Sequence, residues 1–211
     1  MYENNKATVS GTCVSGLQFN HEVYGEAFYI MMVEVARTSG NVDMVPLMIS
    51  DRLIDVGKDY TGCMIEVSGE YRSFNRIEGE KRRLDLYLFV QKLLLDRDCT
   101  ALNKNEIFLS GYICKTVIYR QTPLGREIAD IMLAVNRQCG RSDYIPCIAW
   151  GRCANFASYL KVGTRINVHG RIQSREYIKK FGETECEKRI AYEVSTSWIE
   201  VVDTEKLLLK H

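Results

Sequence analysis

The chain has 211 residues, 46% hydrophobic and 26% charged, with a formal net charge of +1, which fits one large or two small globular domains and excludes wholesale disorder. Three prolines and no Ser/Gly-rich tract argue against a long flexible linker. No apolar run approaches the ~20 residues of a membrane span. The opening Met1-Tyr2-Glu3-Asn4-Asn5-Lys6 lacks the charged and apolar regions of a secretory signal. A soluble, cytoplasmic protein with no membrane partner is expected.

The near-zero charge hides a division. Residues 1–100 carry 11 Lys/Arg against 15 Asp/Glu, a balance of −4, and residues 101–211 carry 17 against 12, a balance of +5. A polyanion would be drawn to the second half.

Despite that contrast, the halves share one plan. At an offset of 100, Ser10-Gly11 falls on Ser110-Gly111, Gly25 on Gly125, Met32 on Met132 and Val35 on Val135. Arg37 then matches Arg137, Gly40 matches Gly140, Asp43 matches Asp143 and Pro46 matches Pro146. One inserted residue later, Gly62 falls on Gly163, Ile65 on Ile166, Val67 on Val168 and Gly69 on Gly170. The expected organisation is a first copy over 1–96, a polar connector over 97–104, a second copy over 105–203 and a short tail over 204–211.

The elements are clearest in the second copy. Glu106–Val117 alternates and is rich in β-formers, and Ile128–Arg137 sets Ile131, Leu133 and Val135 on one face. Tyr144–Trp150 is short and β-rich, and Cys153–Leu160 has the one-sided pattern of a short helix. Arg165–Ile178 alternates again, Lys179–Lys188 reads as a hairpin loop, and Ala191–Val202 as a last strand. Five strands with a helix between the third and fourth is the order of an OB barrel. The predicted fold is therefore all-β: two tandem five-stranded OB barrels, with SH3-like barrels as the alternative.

The eight cysteines contain no C-x-x-C pair, and the three histidines are scattered. No metal site is expected, and the thiols are expected to be reduced. A catalytic reading finds no G-x-x-x-x-G-K-[ST], G-x-S-x-G or H-E-x-x-H string. Glu183, Glu185 and Glu187 alternate along the expected hairpin as a solvated edge would, and His169 beside Gly170 reads as a packed or surface residue. Neither an enzyme nor a cofactor is expected.

Holding an unpaired strand needs cations for phosphates and flat side chains for bases. Tyr144 and Trp150 lie six apart on the third strand, hence on one face, and Tyr177 ends the fourth strand. Around them lie Arg137, Arg152, Arg171, Arg175, Lys179 and Lys180, with Arg120 and Arg126 in the first loop. Trp198 and Phe156, among apolar neighbours, are assigned to the core.

Asn105–Asp203 resembles the OB domain of bacterial single-stranded DNA-binding proteins. The resemblance rests on Leu109-Ser110-Gly111, Leu133–Arg137, Asp143–Trp150 with Gly151–Ala154, Gly163, Val168–Arg171 and Arg175–Tyr177. It implies base stacking at Tyr144, Trp150 and Tyr177, strand contacts from Arg152 and Arg175, and a homodimer presenting four barrels. Two features depart from that family. The chain ends in Glu205–His211 instead of an acidic tip, so recruitment through a tail is not expected. In the first copy Met44 and Ser50 stand opposite Tyr144 and Trp150, which leaves it weakened for stacking, although Phe74 remains near its hairpin. Single-stranded DNA is the expected partner, with RNA or a protein-interaction role as alternatives.

Overall fold

The computed structural model describes residues 4–79, 81–181 and 185–202. The first copy contains β1 (Asn5–Cys13), β2 (Gln18–Val23), β3 (Glu26–Ala36), β4 (Val42–Ser50), β5 (Met64–Glu78) and β6 (Lys81–Leu95). The second contains β7 (Asn105–Ile113), β8 (Ile118–Gln121), β9 (Glu127–Asn136), β10 (Ser142–Trp150), α1 (Arg152–Ser158), β11 (Arg165–Phe181) and β12 (Glu185–Val201). A single 3-10 turn, Asp96–Asp98, opens the connection between them.

Hydrogen-bonded pairing closes each copy into a barrel. β1 pairs with β3 and β5, β3 with β4, β4 in parallel with β6, and β6 with β5. The second copy repeats the circuit with β7, β9, β10, β12 and β11. Five strands in this order, one parallel pair among antiparallel ones, make an OB barrel. The short edge strands β2 and β8, each paired only with the strand that follows it, are additions to the five strands expected.

Alternation supplies the two barrel cores. Val33, Val35, Val45, Leu47, Ile65, Val67 and Leu88 fill the first, and Leu109, Leu133, Val135, Ile145, Ile166, Val168 and Val194 the second, all 0–1% exposed. Gly11 and Gly111 mark where each first strand bends across the barrel: a β-carbon there would meet the carbonyl oxygen of Glu34 or Ala134. Only glycine permits so close a backbone crossing.

The copies differ beneath the barrels. In the second, α1 turns Ala154 and Ala157 into the core. In the first, the same stretch (51–63) is a series of turns, with Ile54 and Tyr60 buried instead. Asp55 accepts from the Gly57 amide at 3.1 Å, an Asx turn that competes with helix.

Three sequence expectations are corrected. Phe156 is exposed, because Ala154 and Ala157, three residues apart, define the inward face of α1 and leave Phe156 off it. Trp198 is 49% exposed. Its strand carries a bulge: His169 pairs with Trp198 while Gly170 pairs with Thr196. The extra residue reverses the alternation, so Val194 faces in, Trp198 faces out and Ile199 faces in. Lys179–Lys188 is for the most part not a loop. The ladder continues to Phe181↔Glu185, so β11 and β12 project beyond the barrel as a long hairpin.

The two barrels join along their first strands, where Asn5–Val9 of β1 pairs antiparallel with Asn105–Leu109 of β7. All twelve strands form one continuous hydrogen-bonded sheet. No helix among the described residues is long and apolar enough to cross a membrane.

Candidate nucleic-acid interface

Tyr144 and Trp150 share the outer face of β10 with Pro146 and are 44% and 38% exposed. Trp150 stands opposite Ile128 of β9, which stands opposite Arg120 of β8, so ring and guanidinium lie in one row across the sheet. Arg120 is held by Asp130 at 3.1 Å. Arg126, in the β8–β9 turn, and Arg152, at the start of α1, are exposed and make no ion pair among the described residues.

Tyr177 is 36% exposed and lies on the projecting arm of β11, opposite Arg189. Arg175, two residues earlier and therefore on the same face, sits 3.5 Å from Glu193. The side chains of Lys179 and Lys180 lie outside the described residues, although their backbone extends β11.

Arg137 and Arg171 are engaged at the junction of the two copies. Asp143, 1% exposed, accepts from Arg137 Nε at 2.8 Å and from the Ser73 backbone amide of the first copy at 2.6 Å. Arg137 Nη2 also donates to Ser73 O at 3.1 Å, and Ser73 Oγ accepts from the Tyr144 amide at 2.9 Å. The repeat-related clasp is centred on Asp43, which accepts from Arg37 Nε at 2.6 Å and from the Ser174 amide of the second copy at 3.1 Å. There Ser174 Oγ accepts from the Met44 amide at 2.8 Å.

The clasps are unequal. Asp43 binds a second arginine, Arg171, at 2.6 Å, whereas Glu70 stands in the first copy at the place of Arg171. Hydrogen bonding to Asp143 pushes the Arg137 guanidinium above its ordinary pKa. Burial draws Arg171 below its own, against the opposing pull of Asp43.

Each projecting hairpin thus crosses onto the neighbouring copy, and a groove of about 420 Å³ opens between them. Pro46 and Pro146 line it from the two barrels, Leu84 and Tyr87 from the β5–β6 hairpin, and Tyr177 and Tyr192 from the β11–β12 hairpin. Arg83 of one hairpin approaches Glu187 of the other to 3.9 Å.

Sequence reasoning missed several aromatic groups. On the first barrel His21 stacks on Phe28 at 5.0 Å, Phe28 packs on Phe89 at 5.6 Å, and Arg72 lies 3.8 Å above the Phe89 ring. These come from β2, β3, β5 and β6, so only closure of the barrel brings them together. On the β7–β11–β12 surface Trp198, His169 and Phe108 form a cross-strand row, in register with Lys6 of β1. Among the described residues no group of three His, Cys, Asp or Glu is placed to hold a metal ion.

Fold and surface together define a protein of two OB barrels joined in tandem, with aromatic and cationic groups on the outer face of the second. Residues 104–202, the second copy, match the Single-strand binding protein family. Single-stranded DNA-binding protein A of Bacillus subtilis is 40% identical over 86 residues, which is 37% of this chain and 50% of the relative. Single-stranded DNA-binding protein 3 of Streptococcus agalactiae is 37% identical over 86 residues, 62% of its length. The chain spans about half the length of the curated relatives it matches. The wild-type single-stranded DNA binding protein of Thermus aquaticus matches the fold over nearly the whole chain, with a TM-score of 0.67, 21% identity, and coverage of 94% of this chain and 93% of that one. A deletion mutant of the same protein gives a TM-score of 0.69 at 18% identity, with 94% of each chain covered.

Proposed function

We propose that the protein binds single-stranded DNA without chemistry, in the cytoplasm, in replication, repair or recombination. The observation that carries this reading is the outer face of β10: Tyr144 and Trp150 are solvent-accessible on one strand, in a row with Arg120 and flanked by Arg152. Exposed rings accept bases of any sequence, and guanidinium groups neutralise the phosphates between them. Tyr177 and Arg175 extend the face along the hairpin. Arg137 and Arg171 act differently from the other cations, since both are occupied by buried carboxylates. Their part is to hold the two copies, and hence the face, in position.

The chain pairs as a homodimer presenting four barrels. The sheet surface bearing Trp198, His169 and Phe108 favours such an assembly, since a contiguous exposed aromatic row rarely stays unpartnered.

Titration with oligo-dT, followed by tryptophan fluorescence at two salt concentrations, tests the binding. Both tryptophans are exposed, so a Trp198→Phe variant isolates Trp150. Quenching that persists in that variant and weakens with salt is expected. Absence of any interaction with oligo-dT would refute the reading, and a preference for oligo-rU would assign the strand as RNA. Light scattering at twice the mass of one chain is the expected result for the dimer.

A further inference from the structure

The second copy's stacking face does not end at the second copy. We infer that Phe74 and Tyr87, on the hairpin of the first copy, are base-contacting residues of the same face, which makes the strand site a composite of both copies. This rests on the reading of the protein as a single-strand binder and extends it to residues of the copy that sequence comparison leaves weakened.

Three observations meet at Phe74. The residue before it, Ser73, is bonded through its amide, hydroxyl and carbonyl to Asp143, Tyr144 and Arg137, so Phe74 is carried to the start of β10. The Arg137 guanidinium lies over the Phe74 ring at 5.6 Å, a cation–π contact between the copies. Phe74 meets Tyr87 edge-on at 5.8 Å, and Tyr87 in turn lines the interdomain groove with Tyr177. The pair therefore lies between the Arg137 junction, where Ser73 Oγ accepts from the Tyr144 amide, and the groove that Tyr177 lines.

The other clasp shows that this is not a requirement of the fold. There the residue after Ser174 is Arg175, and the strand start it approaches carries Met44. Ring chemistry is gathered at one of the two repeat-related junctions and cation chemistry at the other. Phe74 is only partly buried, and the Arg137 guanidinium over its ring is itself fixed by the Asp143 carboxylate and the Ser73 carbonyl. A nucleobase is the ligand class that such a half-open ring, backed by a fixed guanidinium, accepts.

The experiment compares Phe74→Leu, Phe74→Trp and Trp150→Ala with the unaltered chain in oligo-dT titrations, each checked by thermal melting. Phe74→Leu keeps bulk but removes the π face. It is expected to weaken binding about fivefold or more, while Phe74→Trp restores or strengthens binding at an unchanged melting temperature. If Trp150→Ala weakens binding and Phe74→Leu does not, the composite site is wrong and the single-strand reading stands. Equal losses in Phe74→Leu and Phe74→Trp would also overturn it, since that pattern reports packing of the hairpin. If the unaltered chain does not bind oligo-dT at all, the failure belongs to the functional reading.

Discussion

The Ser73 amide donates to the Asp143 carboxylate at 2.6 Å, and the two residues belong to different copies of the repeat. One buried oxygen pair thereby fixes a hairpin arm, an arginine and the first residues of β10 at once. The same construction recurs around Asp43 with Ser174, so the relative placement of the two barrels is specified twice.

Removing either carboxylate takes a buried acceptor from the half-buried arginine and amide donors around it. Asp143→Ala should cost about 3–5 kcal/mol, the range for breaking one side of a buried charge pair. Asp43→Ala should cost at least as much, because it strands Arg171 as well as Arg37. Urea unfolding measures both. A loss under 1 kcal/mol for either would show that the clasps do not hold the copies together.

Tyr71 is wholly buried, and its hydroxyl has no hydrogen-bond partner among the described residues. Burial raises its pKa well above the ordinary tyrosine value, and Tyr192, Cys147 and Glu193 of the second copy lie in its surroundings. Deleting an unpaired buried hydroxyl relieves a desolvation cost of about 1–3 kcal/mol. Tyr71→Phe should therefore unfold at equal or higher denaturant concentration. Tyr71→Ala, which empties the ring's site, should lose about 3–5 kcal/mol.

Trp150→Ala and Tyr144→Ala should each weaken oligo-dT binding by about 1–3 kcal/mol. At the first copy's equivalent position, Ser50→Ala should leave binding almost unchanged. It should nevertheless lower stability by about 1 kcal/mol, since Ser50 Oγ donates to Glu26 at 2.5 Å and accepts from the Arg52 amide at 3.1 Å. Binding isotherms and melting curves on the same samples separate the two effects.

Glu66 anchors the connection between the copies, accepting from the Thr100 amide at 2.6 Å and from its hydroxyl at 2.8 Å. The Thr100 amide bond is the main cause that holds the Glu66 pKa below its ordinary value, with the hydroxyl next. A depressed folded-state pKa contributes stability above the unfolded value, and that contribution is lost as pH falls through the folded value. Cleavage of residues 96–104 by an acid-active protease should increase as pH drops below the ordinary glutamate range. Glu66→Gln should already show faster cleavage at neutral pH and a flatter pH response.

The barrels were legible in the sequence because alternation and repeat spacing are local signals. Gly11, Gly111, Gly69 and Gly170 fall in register between the halves for one physical reason: each lies where two backbones cross too closely for a β-carbon. Trp198 was misread because a single bulge residue inverts the alternation, and period-two reasoning cannot see it. The exposure of Tyr144 and Trp150 follows from their spacing on one strand. The clasp roles of Arg137 and Arg171 do not, since each depends on an acidic residue positioned by the fold, in one case 128 positions away. Phe74 carries no comparable signal in the sequence, because its significance lies in a contact with Arg137 of the other copy.

The antiparallel seam between β1 and β7 has an evolutionary reading. Two separate identical chains meeting at such a seam would carry every substitution twice, once on each side of the axis. A single polypeptide spanning it escapes that constraint. Thr8 can stand where the other half has Phe108, Lys92 where it has Trp198, and Glu70 where it has Arg171, with no obligation to mirror. A single chain across the seam leaves the two halves free to carry different side chains at matched positions, so each can bring its own chemistry to a shared surface.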